Sequence, residues 1–173
     1  MPFNLATFNT QIADAARPNQ FTVTFTPPGG VSLPNSGLLC KSGAIPGMTI
    51  GVIEVPVQGG RRIKLPGDRT FAEWTATFIA DPNLGIRAGF EKWMSGIVNS
   101  NYNTDQKASG LITGDYKQTI VVQQLNSKGD PVNGGTYSLK EAFPTDISAI
   151  DLSYDTTDAI EEFTVTFQFT YFT

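Results

Sequence analysis

The stretch Glu161-Glu162-Phe163-Thr164-Val165-Thr166-Phe167-Gln168-Phe169-Thr170-Tyr171-Phe172 decides the fold class. Phe163, Val165, Phe167, Phe169 and Tyr171 alternate with Glu162, Thr164, Thr166, Gln168 and Thr170, and this period of two specifies a half-buried β-strand. Working outward, Phe21, Val23 and Phe25 alternate with Thr22, Thr24 and Thr26 in the same way. Strand patterns also cover Tyr116–Leu125, Thr136–Phe143 and Ile147–Asp155, with a turn at Lys128-Gly129-Asp130-Pro131. Thr70–Ala80 reads as a strand with Trp74, Ala76, Phe78 and Ala80 on one face. Pro27–Gly37, rich in Pro, Gly and Ser, reads as a loop. Strands are then expected at Leu38–Ile45, Met48–Pro56 and Arg61–Leu65, the last two joined through Gly59-Gly60. Pro46, Gly47, Pro56 and Pro66 bracket this region, as suits strand ends and sheet edges. A long hairpin standing away from the main sheet and two short strands of a meander both fit.

Two helices interrupt the strands. Leu5, Phe8, Ile12 and Ala15 form one stripe over Leu5–Ala16, with Asn4 as cap and Pro18 as stop. It reads either as an ordinary packing helix or as an arm that docks on a neighbour. Asp81-Pro82 signals the start of the second helix, whose apolar stripe is Ile86, Phe90, Trp93, Met94 and Ile97. Gly85 and Gly89 each cost roughly 1 kcal/mol of helix propensity relative to Ala, so packing must hold this helix, with its backbone close to a neighbour. Asn99–Asp115 is polar, aperiodic and reads as a long loop. The fold class is therefore mainly β, an antiparallel β-sandwich or barrel with a flanking α-helix and an N-terminal helix. At 173 residues, with 12 Phe, 5 Tyr and 2 Trp, the chain fills one domain spanning 1–173 and one core.

The chemistry expected of an enzyme is missing. There is no His, which removes the commonest general base and metal ligand together. Without His, no Ser-His-Asp or Cys-His nucleophile can be built, and Cys40, the single Cys, reads as a small core residue. No zinc site of the usual kind follows, no EF-hand spacing is present, and no cofactor is implied. Gly29-Gly30 and Gly134-Gly135 lack the Lys-Ser/Thr of a phosphate loop. Nothing picks out a catalytic pair among the 16 Asp and Glu. The net charge of −4 argues against a nucleic-acid binder. Charged residues reach only 16%, a low density that suits a surface meeting other protein. No apolar run spans a bilayer and no signal peptide is visible. Gly67-Asp68-Arg69-Thr70-Phe71 reads as a tight turn entering a strand, with Asp68 and Arg69 either pairing or meeting another subunit.

Several strings then occur in order. They are Ala16-Arg17-Pro18-Asn19-Gln20-Phe21, Gly67-Asp68-Arg69-Thr70-Phe71 with Trp74, Phe90 and Trp93, and Tyr116-Lys117 with Ile120-Val121. Phe143-Pro144-Thr145-Asp146, Leu152-Ser153-Tyr154-Asp155 and Phe163-Thr164-Val165-Thr166 complete the series. The set resembles the tail tube proteins of T4-like and related contractile-tailed phages, and the likeness runs from Asp14 to Phe172.

That resemblance implies a β-sandwich with a flanking helix and a protruding hairpin, related in fold to type VI secretion tubes. It implies hexameric rings stacked into an inner tail tube, inside a tail sheath protein and between baseplate and tube-terminator proteins. A tape-measure protein and phage DNA would occupy the lumen without specific binding. The protein would be made in the host bacterial cytoplasm, reside in the virion tail and have no membrane anchor. Residues 1–18 would be a helical arm and 48–65 an assembly hairpin.

Interface residues are expected at Met48, Ile50, Val52, Arg61, Arg62, Lys64, Asp68 and Arg69, the basic strand facing an acidic patch on a neighbour. Glu141 and Asp151, as outward acids on late strands, are expected to face a lumen that repels phosphate. The alternatives are a type VI secretion-like or baseplate tube component, and a carbohydrate-binding or hydrolytic β-sandwich of the virion. The last would place aromatic platforms in loops, whereas most aromatics here alternate into strands or helix stripes.

Overall fold

A computed structural model describes residues 4–12, 16–98, 115–155 and 157–173. The expected loop at Asn99–Asp115 lies almost wholly outside them, as does Ala15. The chain is mainly β. Strands β1 (Phe21–Phe25), β2 (Cys40–Gly43), β5 (Trp74–Ile79), β6 (Gln118–Leu125), β7 (Pro131–Ile147), β8 (Glu162–Gln168) and β9 (Tyr171–Phe172) form one antiparallel sheet. Its order is β1-β6-β7-β8-β5-β2, with β9 also on β7. Strands β3 (Met48–Pro56) and β4 (Arg62–Phe71) form a separate two-stranded sheet. Helices are α1 (Leu5–Ile12), the single turn α2 (Ser36–Leu39) and α3 (Gly85–Ile97).

The long sheet curls on itself. Phe25 of β1 lies 5.5 Å from Phe78 of β5 and 5.9 Å from Phe167 of β8, ring centre to ring centre, although β1 and β5 stand four places apart in the sheet. The curl does not close into a barrel among the described residues. Strands β1 and β2 end the sheet unpaired with each other, and a cleft of about 750 Å³ runs between β1 and the α2–β2 segment.

Helix α3 plugs the curl with Ile86, Phe90 and Trp93, all fully buried. Phe90 meets Phe25, Phe78 and Phe167 within 6.0 Å, and aromatic pairs in such tilted or edge-on contact add roughly 0.5–1.5 kcal/mol beyond their burial. Both indoles keep a polar partner: Trp74 donates to the Ala44 carbonyl at 2.6 Å and Trp93 to that of Tyr116 at 3.0 Å.

The helix start differs from the expected one. Asp81 does cap, but its carboxylate accepts from the Gly85 and Ile86 N–H groups at 3.0 and 3.2 Å across an intervening turn. Pro82 sits in that turn, and Leu84 at φ 50 leads into the first helical residue, Gly85. The Gly85 amide, with Ile86 behind it, holds the Asp81 carboxyl below its ordinary value against a smaller opposing effect of burial. The expected close approach of the helix backbone occurs at Gly89, where a Cβ would stand 2.4 Å from the Ser32 carbonyl oxygen. The neighbour is the 27–35 loop and not the sheet.

Four strand boundaries move. Leu38–Ile45 shortens to β2 because α2 occupies its start, close enough to β1 that a Cβ on Gly37 would meet the Val23 carbonyl at 2.6 Å. Thr70–Ala80 breaks at Ala72-Glu73 into the end of β4 and β5. Ile147–Asp155 is not a strand. After β7 ends at Ile147, Ser148 bonds Thr164 by its N–H at 2.8 Å, and residues 149–155 then leave the sheet. The alternation Ile150, Leu152, Tyr154 has no core face to bury against, so Leu152 and Tyr154 are exposed.

The deciding stretch also changes phase. Phe163, Val165, Phe167 and Phe169 are buried, but the chain breaks at 169–170, Tyr171 turns outward and Phe172 packs inward. A left-handed residue in the partner strand, Glu141 at φ 57, matches this break. Its carboxylate accepts from the Thr170 hydroxyl at 2.7 Å and from Lys117 Nζ at 3.3 Å. Those contacts, the hydroxyl first, hold the Glu141 carboxyl below its ordinary value.

Candidate assembly interface

The hairpin β3–β4 turns through Gly59 and Gly60, at φ 97 and φ 78, where the Val57 N–H donates to the Arg61 carbonyl at 2.9 Å. At its base, Met48 pairs with Phe71, which anchors the hairpin to the core through rings of Phe169 and Phe172 at 5.6 and 5.4 Å. Beyond that base every residue of β3 and nearly every one of β4 is exposed.

Gly67-Asp68-Arg69-Thr70-Phe71 is strand, not the tight turn expected. Ile50 pairs with Arg69 and Val52 with Pro66, so β4 carries one residue more than β3 at this point. Gly51 accommodates this bulge: a Cβ on Gly67 would stand 3.1 Å from the Gly51 carbonyl. Asp68 and Arg69 make no ion pair among the described residues.

The bulge sorts the side chains onto two faces. Cross-strand partners share a face, and successive residues alternate. One face carries Met48, Ile50, Val52 and Glu54 opposite Arg69, Pro66 and Lys64, with Arg62 at the far end. Glu54 there pairs with Arg62 at 2.8 Å and Lys64 at 3.9 Å. This charged face gathers six of the eight interface residues expected from sequence, namely Met48, Ile50, Val52, Arg62, Lys64 and Arg69. Arg61 lies at the tip and Asp68 in the bulge.

The opposite face was not anticipated. It pairs Ile53 with Leu65 and Val55 with Ile63. These side chains are 54%, 47%, 39% and 52% exposed. The signal was present in Ile53-x-Val55 and Ile63-x-Leu65, but attention to the basic residues hid it. Soluble chains rarely leave such a contiguous apolar patch without a partner.

The other expected sites are dispersed. Glu141 is exposed, but its charge is engaged by Lys117 and Thr170. Asp151 sits on the exposed 149–155 loop and not on a strand. In the N-terminal helix Leu5 and Phe8 are exposed, so the arm does not bury these two residues of its stripe in its own core. Cys40 is buried and donates weakly to the Ser42 carbonyl, and burial pushes its thiol up to about 11. Among the described residues no His, Cys, Asp and Glu are grouped to hold a metal ion. No helix of the described residues is long and apolar enough to cross a membrane.

Comparison with known proteins agrees with this geometry. Residues 16–173 match the phage tail tube protein family. The tail tube protein gp19 of Enterobacteria phage T4 is 31% identical over 160 residues, covering 91% of each chain. Among solved structures, a chain of the extended sheath–tube complex of the PVC extracellular contractile injection system superposes with TM-score 0.63 at 16% identity, over 99% of this chain and 97% of that one. A chain of the tube-terminating cap of the anti-feeding prophage gives TM-score 0.62 at 17% identity, over 91% and 89%. At these identities the structural likenesses establish the fold.

Proposed function

This chain belongs to the phage tail tube protein family, and from that premise we propose that it assembles into stacked hexameric rings forming a conduit for phage DNA. The protein is a structural component of contractile tails and not an enzyme. The observation that carries the assembly reading is the hairpin, which exposes apolar side chains on both faces. The unpaired sides of β1 and β2 support the same reading. Open edges invite aggregation unless a partner covers them, and a rotation that pairs each copy with the next closes the set.

The tube would lie in the virion tail after synthesis in the host cytoplasm. A sheath and a terminator are its natural partners, since the fold recurs in a sheath–tube complex and a tube cap. Baseplate proteins would seed it, and a tape-measure protein and then DNA would fill it. Duplex DNA carries one negative charge per roughly 1.7 Å, so a lumen free of basic patches leaves it mobile. The acidic balance of the chain suits that role.

Sedimentation and negative-stain electron microscopy of the purified protein test the proposal. Rings or tubes of one diameter are the expected result. Monomer at every concentration and salt, with baseplate seeds added, would overturn it.

A further inference from the structure

The segment 149–162 joins β7 to β8 across the surface and lines a groove of about 560 Å³. Leu152 is 81% exposed, Ile160 71%, and Tyr154 fully. The same segment carries Asp151, Asp155, Asp158 and Glu161, none of them in an ion pair among the described residues, and it contains no Lys or Arg. Large apolar side chains set among unpaired acids form half of an interface.

The charged face of the hairpin has the converse composition. Ile50 and Val52 are exposed beside Arg62, Lys64 and Arg69. Glu54 is the one acid on this face, and it already serves both Arg62 and Lys64. Both surfaces are exposed in the single chain, so its own hairpin does not fill its own groove.

We infer that the 149–162 groove of one copy receives the charged face of a second copy's hairpin. The inference rests on the self-assembly reading and names the surface that meets the hairpin. Apolar contact between Ile50, Val52 and the exposed Leu152, Tyr154 and Ile160 supplies the attraction. Apposition of cations to acids selects the register and the partner, the usual use of charge at an interface. The apolar face of the hairpin remains free for a different neighbour, so each hairpin would sit wedged between two copies. Asp151 then belongs to a subunit contact and not to the lumen.

Charge exchange tests the pairing. Lys64→Glu with Arg69→Glu, or Asp155→Lys with Asp158→Lys, should each raise the concentration needed for tube formation by about tenfold or more, since apposed like charges are costly at an interface. Each variant should keep the melting temperature nearly unchanged, because all four positions are exposed. Combining both pairs in one chain should restore assembly. A combination no better than either half, or a half that assembles normally, overturns the inference.

A second test uses one chain carrying Val52→Cys and Leu152→Cys, with the native Cys40 buried and unreactive. Oxidised tubes should run as a ladder of covalent oligomers without reductant, and tubes yielding only monomer would overturn the pairing. If wild-type chains never assemble, the self-assembly reading itself has failed. If wild-type assembles and only the charge exchange fails, the hairpin has a different receiver.

Discussion

Replacing Ile53 and Leu65 together by Thr should separate folding from assembly. The two side chains face each other across the hairpin and are about half exposed in the single chain. Complete burial of such a side chain is worth roughly 1.5–3 kcal/mol, so covering the exposed half gains about 1 kcal/mol for each. Thr retains β-branching and strand propensity while losing most of that gain. The pair should therefore cost about 1–2 kcal/mol of association per covered hairpin, roughly a ten- to thirtyfold rise in critical concentration. Monomer stability should move by only about 0.5 kcal/mol. Sedimentation across a concentration series gives the first number and calorimetry of the monomer gives the second. A variant that assembles at the wild-type concentration would refute the reasoning. So would one whose monomer melts several degrees lower, since the apolar face would then be packing on its own chain.

Gly89→Ala should destabilise the fold by about 2 kcal/mol despite the better helix propensity of Ala, because its Cβ would press on the Ser32 carbonyl at 2.4 Å and Leu33 at 2.7 Å; thermal unfolding reads this directly. Asp81→Ala should cost about 1 kcal/mol at neutral pH through loss of the cap. Because the folded Asp81 carboxyl titrates below its unfolded value, its contribution is present above the ordinary carboxylate range and is lost as pH falls through the folded value. The gap between wild-type and Asp81→Ala melting temperatures should therefore close on acidification, and a gap that persisted at the acid end would count against the cap. Duplex DNA should show no binding to the assembled tube at physiological salt by fluorescence anisotropy. A salt-sensitive affinity in the micromolar range or tighter would contradict a lumen along which DNA slides.

Much of the fold was legible because its core strands bury one face. Phe163, Val165 and Phe167, or Trp74, Ala76 and Phe78, alternate in sequence because they alternate in space. Reading failed where alternation continued without a core. Ile150, Leu152 and Tyr154 mimic a strand, yet they leave the sheet after Ser148 and two of them face solvent. It failed again where backbone geometry reset the phase. Neither the left-handed Glu141 nor the bulge at Gly67-Asp68 is a residue type that announces itself, and each redirects the side chains beyond it. The hairpin boundaries followed from its Gly-Gly turn and flanking Pro residues, and its basic residues drew the eye to one face. The apolar quartet opposite them was missed because alternation predicts two faces without saying which neighbour covers each.

Amide hydrogen exchange across residues 48–71, compared between monomer and assembled protein, tests most directly whether neighbours cover this hairpin. Its outward amides should exchange rapidly in the monomer, where no third strand pairs with them, and should become strongly protected on assembly. Equal exchange in the two states, with protection rising elsewhere, would show that the tube is built from other surfaces.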